Sequence, residues 1–501
     1  MPTANPISRN TCESAAPGYV ARWLDSLACG KLPPVAIAVL LAAVAAAHMA
    51  RSLWVDEAGT FWMAHEGMIR AIQKTLHWPG QSVLYSVIAS FFCFDGRPFR
   101  DVLLRVPSLI GLVVGAYFLY RIAESLVGRG TGLAAMALYL FHPSVMRIGF
   151  QARPYALAMA SVIASCWALI EWDRSRSRLH LVYYVIASTF IIYLHYIHAV
   201  IFLVQVLYLG VVFVFEGRRK RGWEIVGAGA AVLLLAAPLI SHVELLIAKG
   251  QTLEFAPIPS LLDLADSLAP SPLLLRLMLA GIPLAFAGLA APGGEGKPRP
   301  ASGVLMAAWW LSGPVIFFLV SRLSLHIFVL RYFAFTLPAQ SLLFTYCGYR
   351  LFGAPGARIW ALLGALFFAV GPLIGADTGE ELLPMIQIVR SEAKAPVFFP
   401  SLLVESLSSD WRAGNRPGSY LFAPLVAYPI PNEVYPLPFG LTADAKAYIS
   451  SIVDSRLAGK AEVLFVDKDE AWPWIVDRMS RAGLHPEIRN AGRFKVLVFR
   501  R

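Results

Sequence analysis

Three short stretches concentrate residue types able to do chemistry. In RSLWVDEAGTFW (51–62), Asp56 and Glu57 are adjacent, just past an apolar run. In GFQARPYAL (149–157), Gln151, Arg153 and Tyr155 meet at a junction between apolar runs, and in HIFVLRYFAFTLPA (326–339), Arg331 and Tyr332 stand at the end of another. A carboxylate beside hydrocarbon is costly unless paired or solvated, so ionisable residues at such places are candidates for function. A guanidinium at a water–lipid boundary can grip a phosphate through forked hydrogen bonds. The plainer alternatives are that the acids merely end a helix in water and that each arginine snorkels to headgroups. YLHYIHA (193–199) adds His195 and His198 at i, i+3. That spacing can put two imidazoles on one face as metal ligands, although a neutral histidine at a helix end is the commoner case.

What positions these residues is a membrane protein. Of 501 residues 57% are hydrophobic and only 15% charged, against roughly 25% charged in soluble domains. The net charge of +11 could suggest nucleic acid, but the Lys and Arg fall in short clusters between apolar runs, as cytoplasmic loops of membrane proteins do. Nucleic-acid binding is excluded on that ground. The five cysteines, Cys12, Cys29, Cys93, Cys166 and Cys347, form no CxxC and mostly lie in or beside apolar runs, where thiols are buried and inert.

Apolar runs near 34–50, 105–127, 131–149, 155–171, 179–195, 197–215, 224–240, 272–290, 303–321, 332–352 and 358–376 each approach the roughly 20 residues of a membrane-crossing helix. The run VLYSVIASFFCF (83–94) is short for a span and is read as re-entrant or interfacial, a full crossing being the alternative. With the first 33 residues cytoplasmic, the loops holding Arg121/Arg129, Arg174/Arg176/Arg178, Arg218 to Arg221, Lys297/Arg299 and Arg350/Arg358 all fall inside, as the positive-inside rule requires. Asp56, Arg153 and Arg331 then all face outside, and three polar knots converging on one side favour a functional reading over snorkelling. The predicted fold class is mainly α: a polytopic helical membrane protein of about eleven or twelve transmembrane helices, with a small C-terminal α/β domain outside the cytoplasm.

The predicted organisation is a cytoplasmic tail over 1–33, a transmembrane domain over 34–376 with a first outer loop at 51–82, and an outer region over 377–501. The tail, with Arg9, Arg22 and Lys31, is long for a signal-peptide n-region, which favours an uncleaved anchor. Trp54, Phe61 and Trp62 suit the headgroup region, and AGTFWMAHEGMIRAIQKTLHW continues as an amphipathic interfacial helix. AEVLFVD (461–467) and FKVLVFR (494–500) read as strands, DEAWPWIVDRMSRAGLHP (469–486) as a helix stopped by Gly483, and the Pro-rich 396–440 as ordered loops over the membrane domain.

The order WVDEAGTFWMA, HWPGQSVLY, LLRVPSLIG through GFQARPYALA, YLHYIHA and LRYFAFTLPA over residues 34 to 350 resembles the GT-C membrane glycosyltransferases of the protein mannosyltransferase and aminoarabinose-transferase-like group, closest to the bacterial RgtA/B/C/D-like domain proteins. The resemblance implies an inverting transferase. It would take one sugar from a polyprenyl-phosphate donor to a hydroxyl acceptor of the envelope (glycolipid, lipopolysaccharide, polysaccharide or protein), at the outer, periplasmic face of a bacterial inner membrane. It implies that Asp56 is the catalytic acid of the first loop, acting as general base or, in some branches, as a metal ligand. Glu57 then acts on Asp56 by like-charge repulsion or hydrogen-bonds the acceptor. Arg331 and Arg153, with Tyr155, Tyr332, Gln151, His77 and His195, are the implied substrate-binding residues, the arginines taking the leaving phosphate. Adjacent acids on one turn are badly placed for a retaining route, which needs opposed carboxyls about 5 Å apart.

Two departures matter. Gln151 stands where many relatives have an acid before Ala-Arg-Pro-Tyr, so a second carboxylate for a metal is missing; no cofactor is expected with certainty, and a divalent metal is not favoured. HWPGQSVLY replaces the relatives' His-Pro-Pro-Leu-Tyr, which loosens the register of His77 and Tyr85. The rival readings are a multi-pass transporter or lipid flippase, against which the charges gather at one interface, and a non-catalytic scaffold.

Overall fold

The computed structural model describes residues 32–93, 99–214, 222–248, 256–269, 300–373, 381–407, 409–412, 419–467 and 472–501, with five further positions between 271 and 279. The chain is mostly helical, a polytopic membrane bundle with a small C-terminal sheet domain. Among the described residues six helical stretches are long and apolar enough to cross a membrane: Phe99–Val127, Tyr155–Ser175, Tyr196–Val214, Gly222–Ala248, Ala301–Leu323 and Ala334–Ala369. Pro34–Met49 and Arg178–Leu194 are shorter apolar helices.

The differences from the expected runs have local causes. The run 131–149 is two helices, Arg129–Leu140 and Pro143–Gly149, because Pro143 cannot continue a helix; His142 caps the second by accepting the Ser144 N–H at 3.2 Å. The runs 332–352 and 358–376 join as Leu337–Leu373, broken at Gly353 with φ +69°. The run 272–290 lies largely outside the described residues, as do most of the predicted N-terminal tail and the basic loop at 218–221. Val83–Ser90 is an eight-residue helix, about 12 Å long at 1.5 Å per residue, too short to cross a hydrocarbon core of about 30 Å.

Bundle packing uses small residues where helices approach. A Cβ added at Gly111 would meet the Leu157 nitrogen at 2.7 Å and the Ala156 carbonyl carbon at 2.8 Å, so helices Val106–Val127 and Tyr155–Ser175 touch backbone to backbone at this point. The obstacle is main chain, which cannot rotate aside. Gly111→Ala is therefore expected to destabilise the fold by about 1–3 kcal/mol, seen as a lowered apparent melting temperature in detergent. An unchanged melting temperature would show that these helices can separate without loss.

Outside the bundle, the first loop is two helices, Val55–Ala64 and Met68–His77, where the sequence predicts one. Gly67, at φ +90°, turns the chain between them. The second buries only Ala71 and Thr75 and exposes Met68, Ile69, Ile72 and Leu76, the one-sided pattern of an interfacial helix.

The C-terminal region builds a five-stranded sheet in the order β2-β1-β3-β5-β4, where β1 is Val397–Pro400, β2 Val434–Leu437, β3 Glu462–Asp467, β4 His485–Ala491 and β5 Phe494–Arg500. β1 pairs in parallel with β2 and β3, while β5 pairs antiparallel with β3 and β4. Alternation divides the side chains between the two faces. Phe398, Phe465, Leu497 and Phe499 pack with helices Ala443–Ser455 and Trp472–Ser480. Val397, Phe399, Leu464, Val466, Val496 and Val498 join a core that includes Leu53, Ala58, Tyr420 and helix Leu382–Ser391. The sheet domain is thus fastened onto the first loop. Polar ties complete the seam: Leu53 N–H donates to the Tyr428 hydroxyl at 2.7 Å, Tyr428 donates to Asp101 at 2.7 Å, and Arg100 donates to the Ala427 carbonyl at 2.8 Å.

Candidate active site

A cavity of about 400 Å³ opens where the first loop, the helix ends of the bundle and the C-terminal region meet. Asp56, Arg153, Tyr155, His195, Arg331 and Tyr332 all line it. Residues 275 positions apart in sequence form its charged centre: Arg331 Nη1 donates to Asp56 Oδ2 at 3.0 Å, and Arg153 Nη2 lies 4.0 Å from the same oxygen. Both guanidiniums remain charged at any working pH. Arg331 and Tyr332 occupy a short 3₁₀ turn, Leu330–Tyr332, and Arg153 precedes Pro154, which caps helix Tyr155–Ser175. Proline's fixed φ starts that helix and sets Arg153 on its outer rim.

Asp56 and Glu57 lie in the first turn of Val55–Ala64, where the helix dipole favours negative charge. Neighbours on a helix differ by about 100° in direction, and here that separates two roles. Asp56 faces the cavity with its side chain 19% exposed. Glu57 is fully buried beneath the loop: its carboxylate accepts from Arg105 Nε at 2.7 Å, from the Ala152 N–H at 2.7 Å and from the Trp54 N–H at 3.2 Å, with Arg105 Nη2 on its second oxygen. Arg105 also donates to the carbonyls of Met49, Arg51 and Ser52 at 2.9, 2.6 and 3.0 Å. Glu57 therefore has no path to an acceptor, and the expectation that it touches one is corrected: it is a structural anion that fixes the turn carrying Asp56.

Two other expected substrate contacts are also displaced. His77 is exposed on the outer side of Met68–His77, its Nδ1 2.9 Å from the Gln73 carbonyl. The cavity is lined instead by the residues following it, Trp78 to Ser82, because the chain leaves the helix at this point. Gln151 does not line the cavity; its carbonyl accepts the Arg153 N–H at 2.7 Å and so shapes the turn. His195 does reach the cavity, with its ring 5.4 Å from Tyr155, 5.9 Å from Tyr332 and stacked 4.6 Å from His198. Burial and the charges of His198, Arg153 and Arg331 hold its imidazole well below its ordinary range, so it is neutral. Burial pushes the Tyr332 phenol up to about 12, which leaves it a hydrogen-bonding group and not a base. Among the described residues no three His, Cys, Asp or Glu side chains gather as a metal site.

The wall facing the membrane domain was not legible in the sequence. Arg153 Nη1 donates to the Gln81 side-chain oxygen at 3.0 Å, Gln81 Nε2 donates to the Tyr420 hydroxyl at 2.7 Å, and Tyr420 donates to Glu405 at 3.3 Å. Tyr420 also packs 4.5 Å from Trp78 and 5.4 Å from Trp62. This relay crosses from the loop to the C-terminal region and brings a second carboxyl, Glu405, into the cavity. Only the concentration of aromatic and Pro residues in 396–440 hinted that the segment lay over the membrane domain.

Burial, then the nearby negative charge of Asp56, pushes the Glu405 carboxyl above its ordinary range. In the unfolded chain it titrates near 4.3. Below that pH it is neutral in both states, and as pH rises the folded state alone resists its ionisation, so stability falls with rising pH through the raised value. Glu405→Gln, which keeps the acceptor for Tyr420, is expected to raise the melting temperature at pH 7 and to match the parent near pH 4. A stabilisation independent of pH would contradict this assignment.

The dolichyl-phosphate-mannose-protein mannosyltransferase family matches residues 84–242. No curated protein matches the chain significantly. In fold the chain is similar to ArnT from Cupriavidus metallidurans. With that protein bound to undecaprenyl phosphate, the TM-score is 0.53 at 12% identity, covering 92% of this chain and 97% of that one. With its apo form the TM-score is 0.54 at 12% identity, covering 96% and 98%. The family model spans about a third of the chain and the structural likeness is one of fold, and both point the same way as the resemblance carried by the motifs.

Proposed function

We propose that this protein is a GT-C glycosyltransferase that moves one sugar from a polyprenyl-phosphate donor to a hydroxyl acceptor of the bacterial envelope, at the periplasmic face of the inner membrane, with inversion at the anomeric carbon. The observation that carries the reading is a carboxylate, Asp56, bracketed by two arginines in a cavity where the helix ends of the bundle meet the C-terminal region. A polyprenyl phosphate needs its anion stabilised as it leaves, and Arg331 and Arg153, fixed cationic donors beside Asp56 in the cavity, are the groups that would take that charge. Attack by a hydroxyl needs a base on the opposite side of the bond, the role assigned to Asp56. In the free protein Arg331 binds Asp56; an arriving phosphate competes for the guanidinium and releases the carboxylate to take the acceptor's proton. Tyr155, Tyr332 and neutral His195 line the same end and orient the substrate, while half-buried Trp78, backed by buried Tyr420, supplies an aromatic wall for a sugar ring. The retaining route needs an opposed pair of working carboxylates; Glu405, the cavity's second carboxyl, is held by the Tyr420 hydroxyl and resists ionisation through burial, so the reading is a single displacement with Asp56 as base.

The same placement argues against a transporter, for which charged groups would continue through the bundle toward the other side. Mass spectrometry of envelope glycans with and without the gene tests the proposal. Loss of one glycosyl unit from one envelope component is the expected result, and an identical glycan profile would overturn it.

A further inference from the structure

Tyr196 lines the cavity beside His195, but its hydroxyl is committed elsewhere, to Nδ1 of His242. His242 is buried in helix Ile240–Ala248, and its Nε2 lies 2.8 Å from the Thr75 carbonyl. A carbonyl can only accept, so in a neutral imidazole Nε2 carries the hydrogen and Nδ1 is the bare lone pair. Tyr196 must then donate to His242. Its phenolic hydrogen points away from the cavity, and what the oxygen has left is acceptor capacity. Thr75 is one of only two buried residues of the interfacial helix Met68–His77, so the same imidazole pins that helix to the cavity wall.

We infer that His242 is a positioning residue that sets Tyr196 as a hydrogen-bond acceptor for a substrate hydroxyl. This rests on the glycosyl-transfer reading above. Neither residue belongs to the Asp56–Arg153–Arg331 cluster, and neither is needed to hold the phosphate. A hydroxyl of the transferred sugar and the acceptor's hydroxyl present the same chemistry to the phenol.

The test uses the full chain in membranes of its own host, following the glycosylated product by mass spectrometry, with binding of undecaprenyl phosphate to the purified protein as the phosphate-only probe. Tyr196→Phe and His242→Ala are each expected to lower transfer about 5–20-fold, as loss of one hydrogen bond to substrate does. The double variant should fall no further, because the two act as one unit. His242→Gln, whose amide can accept from Tyr196 and donate to Thr75, should recover transfer to within about threefold. Undecaprenyl phosphate binding should stay within about twofold throughout. If added donor lipid from the host offsets the loss, the hydroxyl is the sugar's; if added acceptor does, it is the acceptor's. Additive losses, no recovery with Gln, unchanged transfer in Tyr196→Phe, or equal loss of undecaprenyl phosphate binding would each overturn the inference. If the host makes the same glycans without the protein at all, the glycosyl-transfer reading fails instead.

Discussion

Asp56→Asn is expected to lower sugar transfer by about 10²–10⁴-fold, the contribution of a placed general base, while binding of undecaprenyl phosphate is kept or tightened. The two halves of this result separate the roles within the cavity. Asparagine is nearly isosteric and can still accept from Arg331 through its oxygen, so the local geometry at 3.0 Å has no reason to collapse. What disappears is the negative charge that competes with a lipid phosphate for Arg331 and Arg153, so the phosphate end of the site gains affinity as the acceptor end loses its base. Transfer by the variant at the parent rate would remove Asp56 from the chemistry. Loss of phosphate binding together with transfer would make its role structural. Among the described residues the cavity holds one other carboxyl that could act as base, Glu405, and Glu405→Gln under the same assay decides between them: the base is the residue whose amide abolishes transfer.

How far the site could be read from the sequence follows from the physics of each part. Asp56, Arg153 and Arg331 were legible because charge beside long apolar runs is costly and therefore informative, and loop charges put all three on one side. β3 and β5 were legible as apolar runs with strand composition, and Pro154 and Gly483 as helix punctuation. β1, β2 and β4 were not: the first two are four-residue strands ending in or containing proline, and HPEIRNA is a largely exposed edge strand. Glu405, Tyr420 and Gln81 escaped because a single side chain in a loop carries no periodic signal, and their meeting depends on how the sheet domain docks on Leu53 and Ala58. His77 shows the converse error, in which a chemically suggestive residue one position before the cavity-lining stretch faces away from it. Adjacent acids gave the same kind of ambiguity, since sequence shows two carboxylates and only the helix direction shows that they diverge.

That divergence sets the second large effect. Glu57→Ala is expected to destabilise the protein by about 3–5 kcal/mol, the cost of leaving one member of a buried ion pair unpaired, and to appear as aggregation in detergent and a sharply lowered melting temperature. The Ala152 and Trp54 N–H groups lose their acceptor at the same time, and each orphaned buried donor adds to the loss. Restoring balance by removing the cation as well, in Glu57→Ala/Arg105→Leu, recovers only part, because Arg105 also satisfies the carbonyls of Met49, Arg51 and Ser52. Replacing a simple buried pair with apolar residues is often neutral; here the arginine is also the anchor of a turn. If Glu57→Ala folded normally and merely lost activity, Glu57 would belong to the reaction and not to the scaffold. The predicted result, a protein lost before it can be assayed, explains why two acids stand side by side. One carboxylate fixes, through Arg105, the turn that leads into the helix, so that the other is presented to the cavity between two arginines.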